Sequence, residues 1–136
     1  MFVRCTFSTG AELGAPVRGN FYSTETVFDL TVGEGYPVLG MGLFETILIT
    51  LVCDDTGKPN WLPVGLFDFG VRAWPASWGF ALLDGVAASG GDASNRWVAK
   101  WGYPELVREP DLTDRLIERD PVALAIFYRE LAALRE

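Results

Sequence analysis

Apolar and polar positions alternate cleanly at the start of the chain. In Phe2-Val3-Arg4-Cys5-Thr6-Phe7, an extended backbone puts Val3, Cys5 and Phe7 on one side and Arg4 and Thr6 on the other, which predicts a half-buried strand. A loop with Gly and Pro covers residues 9–20. Tyr22, Thr24, Thr26, Val27 and Phe28 then supply β-favouring side chains and predict a second strand over residues 21–30. Residues 33–42 hold four glycines and Pro37, a composition that predicts a loop with bends or bulges.

Residues 44–53, Phe-Glu-Thr-Ile-Leu-Ile-Thr-Leu-Val-Cys, are rich in β-branched side chains and apolar on both faces, so they predict the central strand. Turn residues occupy 54–60, and residues 61–69 resume as its antiparallel partner. Pro63 cannot donate to a ladder, so this arm is expected to be a sheet edge or to start late. Residues 78–83 and 96–101 predict two more strands. The small, polar residues 85–95 between them predict a mobile hairpin loop.

The pattern changes after about residue 103. Asp111 precedes Leu112 with Asp114 three residues on, as in a capping arrangement, and Asp120-Pro121 places a good N-cap before a proline, so the last helix should begin at Pro121. Leu124, Phe127, Tyr128, Leu131 and Leu134 recur at helical spacing and form an apolar stripe that should dock on the sheet. The expected fold is α+β and a single domain over residues 1–136. A strongly bent antiparallel sheet or partial barrel, about residues 1–103, is covered by helices over residues 104–136.

Composition sharpens this picture. A hydrophobic fraction of 49% with nine Phe, five Trp and four Tyr is too apolar for a disordered chain. The longest apolar run, within residues 47–53, is too short for a membrane span, and the first residues carry no secretory pattern, so no membrane contact and a cytoplasmic location are expected. Cys5 and Cys53 match no metal or redox spacing and read as reduced core residues. The net charge of −7, with scattered basic residues, argues against nucleic acid as a partner and for a basic protein.

The chain has no histidine, which excludes Ser-His-Asp and Cys-His catalysis and His-ligated zinc. No Walker motif or G-x-S-x-G elbow occurs, and Gly33-x-Gly35 lacks the rest of a dinucleotide fingerprint. Asp54 and Asp55 are adjacent, but strand neighbours point to opposite faces and Asp-Asp-x-Gly is ordinary turn chemistry. Cys53 lies beside two carboxylates, which disfavours a thiolate. No cofactor or metal is expected.

Two functions from different classes fit. The first is a non-enzymatic protein-binding module, such as an immunity- or antitoxin-type inhibitor of a basic protein. Large aromatics beside acidic groups make an interface anchor, which singles out Trp61, Asp54, Asp55 and Asp68 as its contact surface. Trp74 is also expected to be partly exposed, and Trp78, Trp97 and Trp101 to be core. Charge reversal at Asp54 and Asp55 should then weaken association without affecting thermal stability. The second function is a small-molecule binder or histidine-free enzyme using carboxylates in a sheet–helix pocket, with Glu34, Tyr36 and Glu45 lining a groove.

Overall fold

The computed structural model describes residues 1–19, 22–83 and 97–135. It has an antiparallel sheet that does not close into a barrel, with helices from the C-terminal part of the chain against it. The predicted α+β fold is therefore present. The first strand, β1 (Phe2–Cys5), buries Val3 and Cys5 as its alternation requires.

Residues 22–30 are not a strand. Only an isolated bridge between Thr9 and Val27 ties them to the chain before them, after the short helix α1 (Ala15–Arg18). Hydroxyls compete with the ladder here: the Ser23 N–H donates to Thr26 Oγ1 (3.1 Å) and the Glu25 N–H to Ser23 Oγ (3.2 Å), closing local turns.

The glycine-rich stretch read as a loop is instead the longest strand, β2 (Gly35–Phe44). Its glycines clear space for what lies on top. A Cβ at Gly40 would sit 2.5 Å from Leu106 Cδ2, and one at Gly42 would sit 2.4 Å from Trp97 Cζ3. The expected bulge is also there, as a register shift between Val38 and Gly40. The predicted central strand over residues 44–53 is cut at its start. Phe44 ends β2, Glu45 (φ 53°) and Thr46 turn the chain, and β3 (Ile47–Cys53) returns beside β2.

Next comes β4 (Pro59–Pro63), which among the described residues pairs with β3 alone and is an edge strand, one of the two readings of Pro63. Residues 61–69 are not one arm, because a 3-10 turn at Val64–Leu66 redirects the chain into β5 (Phe67–Asp68) beside β1. A further hairpin, β6 (Gly79–Leu82) and β7 (Trp97–Gly102), pairs with β2 through β7. The predicted loop over residues 85–95 lies outside the described residues. Since β3 and β7 both pair with residues 40–44, they flank β2 on opposite edges. The order there is β4-β3-β2-β7-β6, with β1 and β5 joined to the first residues of β2.

The helices α2 (Pro104–Arg108), α3 (Leu112–Ile117) and α4 (Pro121–Arg135) complete the fold. Asp120 caps α4 at the predicted place, its Oδ2 accepting the Ala123 N–H (2.9 Å). Asp111 makes no such bond and instead faces Arg115 at 3.8 Å. The innermost row of α4 is Ala123, Phe127 and Leu131, while Tyr128, expected in the stripe, lies at its exposed margin with its hydroxyl on the Gly57 carbonyl (2.7 Å). This row packs with Leu39, Leu51, Trp61, Trp97, Leu106 and Leu116 on one face of the sheet. The other face holds a second core of Val3, Val38, Met41, Val52, Leu66 and Phe67. No helix among the described residues is long and apolar enough to cross a membrane.

Among the described residues two charged side chains lie inside, Asp54 and Lys100. Lys100 is fully buried, and its ammonium donates to the Glu109 carbonyl (2.8 Å) just past the end of α2, where a cation favours the helix dipole. Burial pulls its pKa down to about 8, against the opposing pull of Asp111, Asp114 and Glu109.

Candidate functional site

The four residues expected to form a contact surface have separate tasks. Asp54 is 6% exposed and holds the β3–β4 turn: Oδ1 accepts the Thr56 N–H (3.0 Å) and hydroxyl, Oδ2 accepts the Asn60 amide, and Gly57 (φ 77°) closes the bend. Asp55 is a cross-tie, accepting from the Tyr36 hydroxyl (2.6 Å) and from the Thr31 hydroxyl (2.7 Å). Charge reversal at Asp54 would therefore unmake a buried turn, contrary to the expectation of unchanged stability.

Trp61 is a correction as well. It is 7% exposed and packs edge-on against Trp97 with ring centroids 4.8 Å apart, so it belongs to the core between sheet and helices. Trp61 is therefore not an outward-facing anchor beside the turn. Like Asp55, Asp68 is exposed, and its Oδ1 accepts the Gly70 N–H (2.9 Å).

The expected groove of Glu34, Tyr36 and Glu45 does not assemble either. Tyr36 is buried and committed to Asp55 and to the Thr31 N–H, and burial, reinforced by Asp55, holds its phenol above the usual range. Glu34 and Glu45 flank the two ends of β2, roughly 30 Å apart along an extended strand. A sheet–helix hollow of about 230 Å³ is present elsewhere, lined by Leu39, Trp78, Tyr103, Glu130 and Leu134. Glu130 is its one carboxylate, and burial raises the Tyr103 phenol far above its ordinary value. Both cysteines are buried and free, and burial raises both thiols, so neither is a ready nucleophile.

Part of the second face of the sheet is open. Register places Phe80, Trp101 and Met41 in one row across β6, β7 and β2, and Leu82, Ala99, Leu43 and Leu48 in the next row along β6, β7, β2 and β3. Among the described residues, Leu13, Phe28 and Leu30 of the N-terminal part pack on this face with Val3, Val38 and Met41, and not with Phe80 or Leu82. Phe80 is 64% exposed and Leu82 76%.

Trp74, 49% exposed, stacks on Trp78 (5.5 Å, 18°) and meets Trp101 edge-on (5.8 Å), while Phe80 lies 5.8 Å from Trp101 on the far side. Trp97 is core as expected. Trp78 and Trp101 are only half-buried and form the floor of this cluster.

Beside Trp74 runs a groove of about 550 Å³ lined by Met1, Met41, Leu48, Phe67 and Phe69, with Asp68 and Arg72 among its charged groups. The Arg72 Nε–H donates to the Phe69 carbonyl (2.8 Å), fixing the loop that carries Trp74. A mostly apolar groove with a few charged groups suits the binding of an apolar ligand or side chain. Among the described residues no three His, Cys, Asp or Glu side chains gather as a metal site.

Period-two alternation alone marks Trp101 as core, because it does not say that the neighbouring strand is the last of the sheet. Compared with models of protein families, with curated proteins and with solved structures, the chain matches none.

Proposed function

We propose that this chain is a non-enzymatic protein-binding domain whose contact surface is the open aromatic end of its sheet, Trp74, Phe80 and Leu82 over Trp78 and Trp101, with the adjoining groove. The supporting observation is the exposure of three large apolar side chains on one contiguous face. Together they present on the order of 400 Å² of apolar surface, the size at which the largest patch on a monomer is often functional.

The net charge of −7 gives the partner its sign: a basic protein that offers apolar side chains to this face. Inhibition of a basic, toxin-like protein is the narrower form of this reading, supported by the acidic charge and by a surface built for contact rather than for acid–base chemistry.

The test compares the wild-type chain with a Trp74→Ala/Phe80→Ser variant, both immobilised and offered native lysate at low and high salt. The expected result is one basic protein, identified by mass spectrometry, that the wild type retains, high salt weakens and the variant loses at an unchanged melting temperature. Equal recovery by both would remove this face from the reading.

The groove favours a second reading, a small apolar ligand held between Met41, Leu48 and Phe69. A ligand that protects the wild-type chain thermally and competes with no protein would support it.

A further inference from the structure

Among the described residues the sheet has three edges, and two of them are closed to further pairing. On β4 the prolines Pro59 and Pro63 lack a backbone donor, and the Pro59 and Trp61 carbonyls are taken by the Arg119 guanidinium and the Tyr22 hydroxyl (2.6 Å to Trp61). Helix α3 packs alongside that strand. The second edge, β5, is only two residues long.

The third edge, β6, has neither the prolines nor the occupied carbonyls of β4, and the helix that meets it, α2, packs on the sheet face, where Gly79 lies against Val107. Its sequence Gly79-Phe80-Ala81-Leu82 carries no charge and no proline, its register with β7 is regular, and among the described residues it pairs with β7 alone.

The hydrogen bonding states which groups of this edge are open. The Leu83 N–H donates to the Val98 carbonyl of the β7 side (2.6 Å). Backbone direction alternates along a strand, so Gly79 and Ala81 also face β7, while the N–H and C=O of Phe80 and Leu82 point outward.

We infer that β6 is a self-pairing edge that joins two copies of this chain into a symmetric dimer with one continuous sheet. A two-fold axis at Ala81 sets Phe80 opposite Leu82 of the partner subunit, and Leu82 opposite Phe80 of the partner subunit, with both outward-facing residues hydrogen-bonded. Every cross-strand pair is then apolar, so the two copies, each with net charge −7, meet without apposed charges. The strand is self-complementary, whereas a foreign strand would have to supply matching apolar residues at alternate positions.

The pairing runs along the strand and leaves the rings of Trp74 and Phe80 on the sheet face. It shares Phe80 and Leu82 with the proposed docking surface, which it doubles in length, while Trp74 belongs to that surface alone. Four residues per copy make a small interface, so the dimer should be weak and reversible, with a dissociation constant on the order of 10–100 μM.

Analytical ultracentrifugation of the full chain up to about 1 mM tests this. The wild type should show reversible monomer–dimer exchange, and Leu82→Lys, at an exposed position, should weaken it at least about tenfold. Leu82→Pro, which deletes an outward N–H without touching the bond to β7, should do the same. Circular dichroism confirms folding, and Phe80→Lys is the substitute if either variant unfolds.

Trp74→Ala should dimerise like the wild type. A chain monomeric throughout the range would overturn the inference. So would association that survives Leu82→Lys, and association lost in Trp74→Ala would put the contact on the face instead of the edge.

Discussion

The β4 and β6 ends of the sheet have similar compositions, each with tryptophan, proline and an acidic turn nearby, yet they end in opposite states. At β4, the Trp61 ring lies under helices and Asp54 is consumed by its own turn. At β6, the Trp74 ring is half in solvent and Asp68 sits in an open groove. The difference lies in the helices that the C-terminal part of the chain brings to each end. Helix α3 packs against β4, where Arg119 reaches back to the Pro59 carbonyl, whereas α2 meets β6 only from the helix-covered face, where Gly79 lies against Val107. An aromatic residue next to a proline becomes core or contact surface according to whether a later element arrives to cover it.

Trp61→Ala and Trp74→Ala separate the two ends most widely. Removing the Trp61 indole opens a cavity beside Trp97 and should cost about 3–5 kcal/mol in denaturant unfolding. The Trp74 variant should lose under about 1 kcal/mol, because its ring is half-exposed already. Equal losses would break the comparison.

A smaller contrast is expected between the acids. Asp54→Ala leaves the Thr56 and Asn60 donors without their acceptor and should cost about 1–3 kcal/mol, while Asp68→Ala should stay within about 0.5 kcal/mol.

The last effect is one of pH, at Lys100 on β7. Its pKa is about 8 when folded, against an ordinary value of 10.5, so between these limits the unfolded chain binds more protons. Stability should therefore rise from pH 8 towards pH 10.5, by no more than about 1.4 kcal/mol per pH unit, and be flat in this contribution below pH 8. Lys100→Met should abolish the rise in urea unfolding measured across this range.

Elements specified by their own residues were legible in the sequence. Val3 and Cys5 alternate and are buried, Asp120-Pro121 starts α4, and Pro63 marks an edge. Elements specified by distant neighbours were not. Gly40 and Gly42 look like loop residues until Leu106 and Trp97, some sixty residues later, are seen to need the space. Residues 22–30 have strand propensity but hydroxyls that close turns first. At the candidate site, Asp68 and Trp74 were visible as partly exposed, but Phe80 and Leu82 were not, because alternation shows which side chains share a face and not whether that face is covered. Lys100 gave no warning, since its partner is a backbone carbonyl at a helix end.

The position of β2 also bears on the order in which the molecule is made. Its pairing with β3 crosses a two-residue turn and closes locally, whereas its pairing with β7 must wait for a strand from the far part of the chain. Local hairpins form in microseconds, but non-local ladders must first pay the entropy of closing the intervening loop. A nascent chain on the ribosome would therefore carry the β2–β3 hairpin with Gly40 and Gly42 still uncovered. Trp97 and Leu106 arrive only with the last third of the polypeptide, so the helix-side core closes late, as synthesis nears its end.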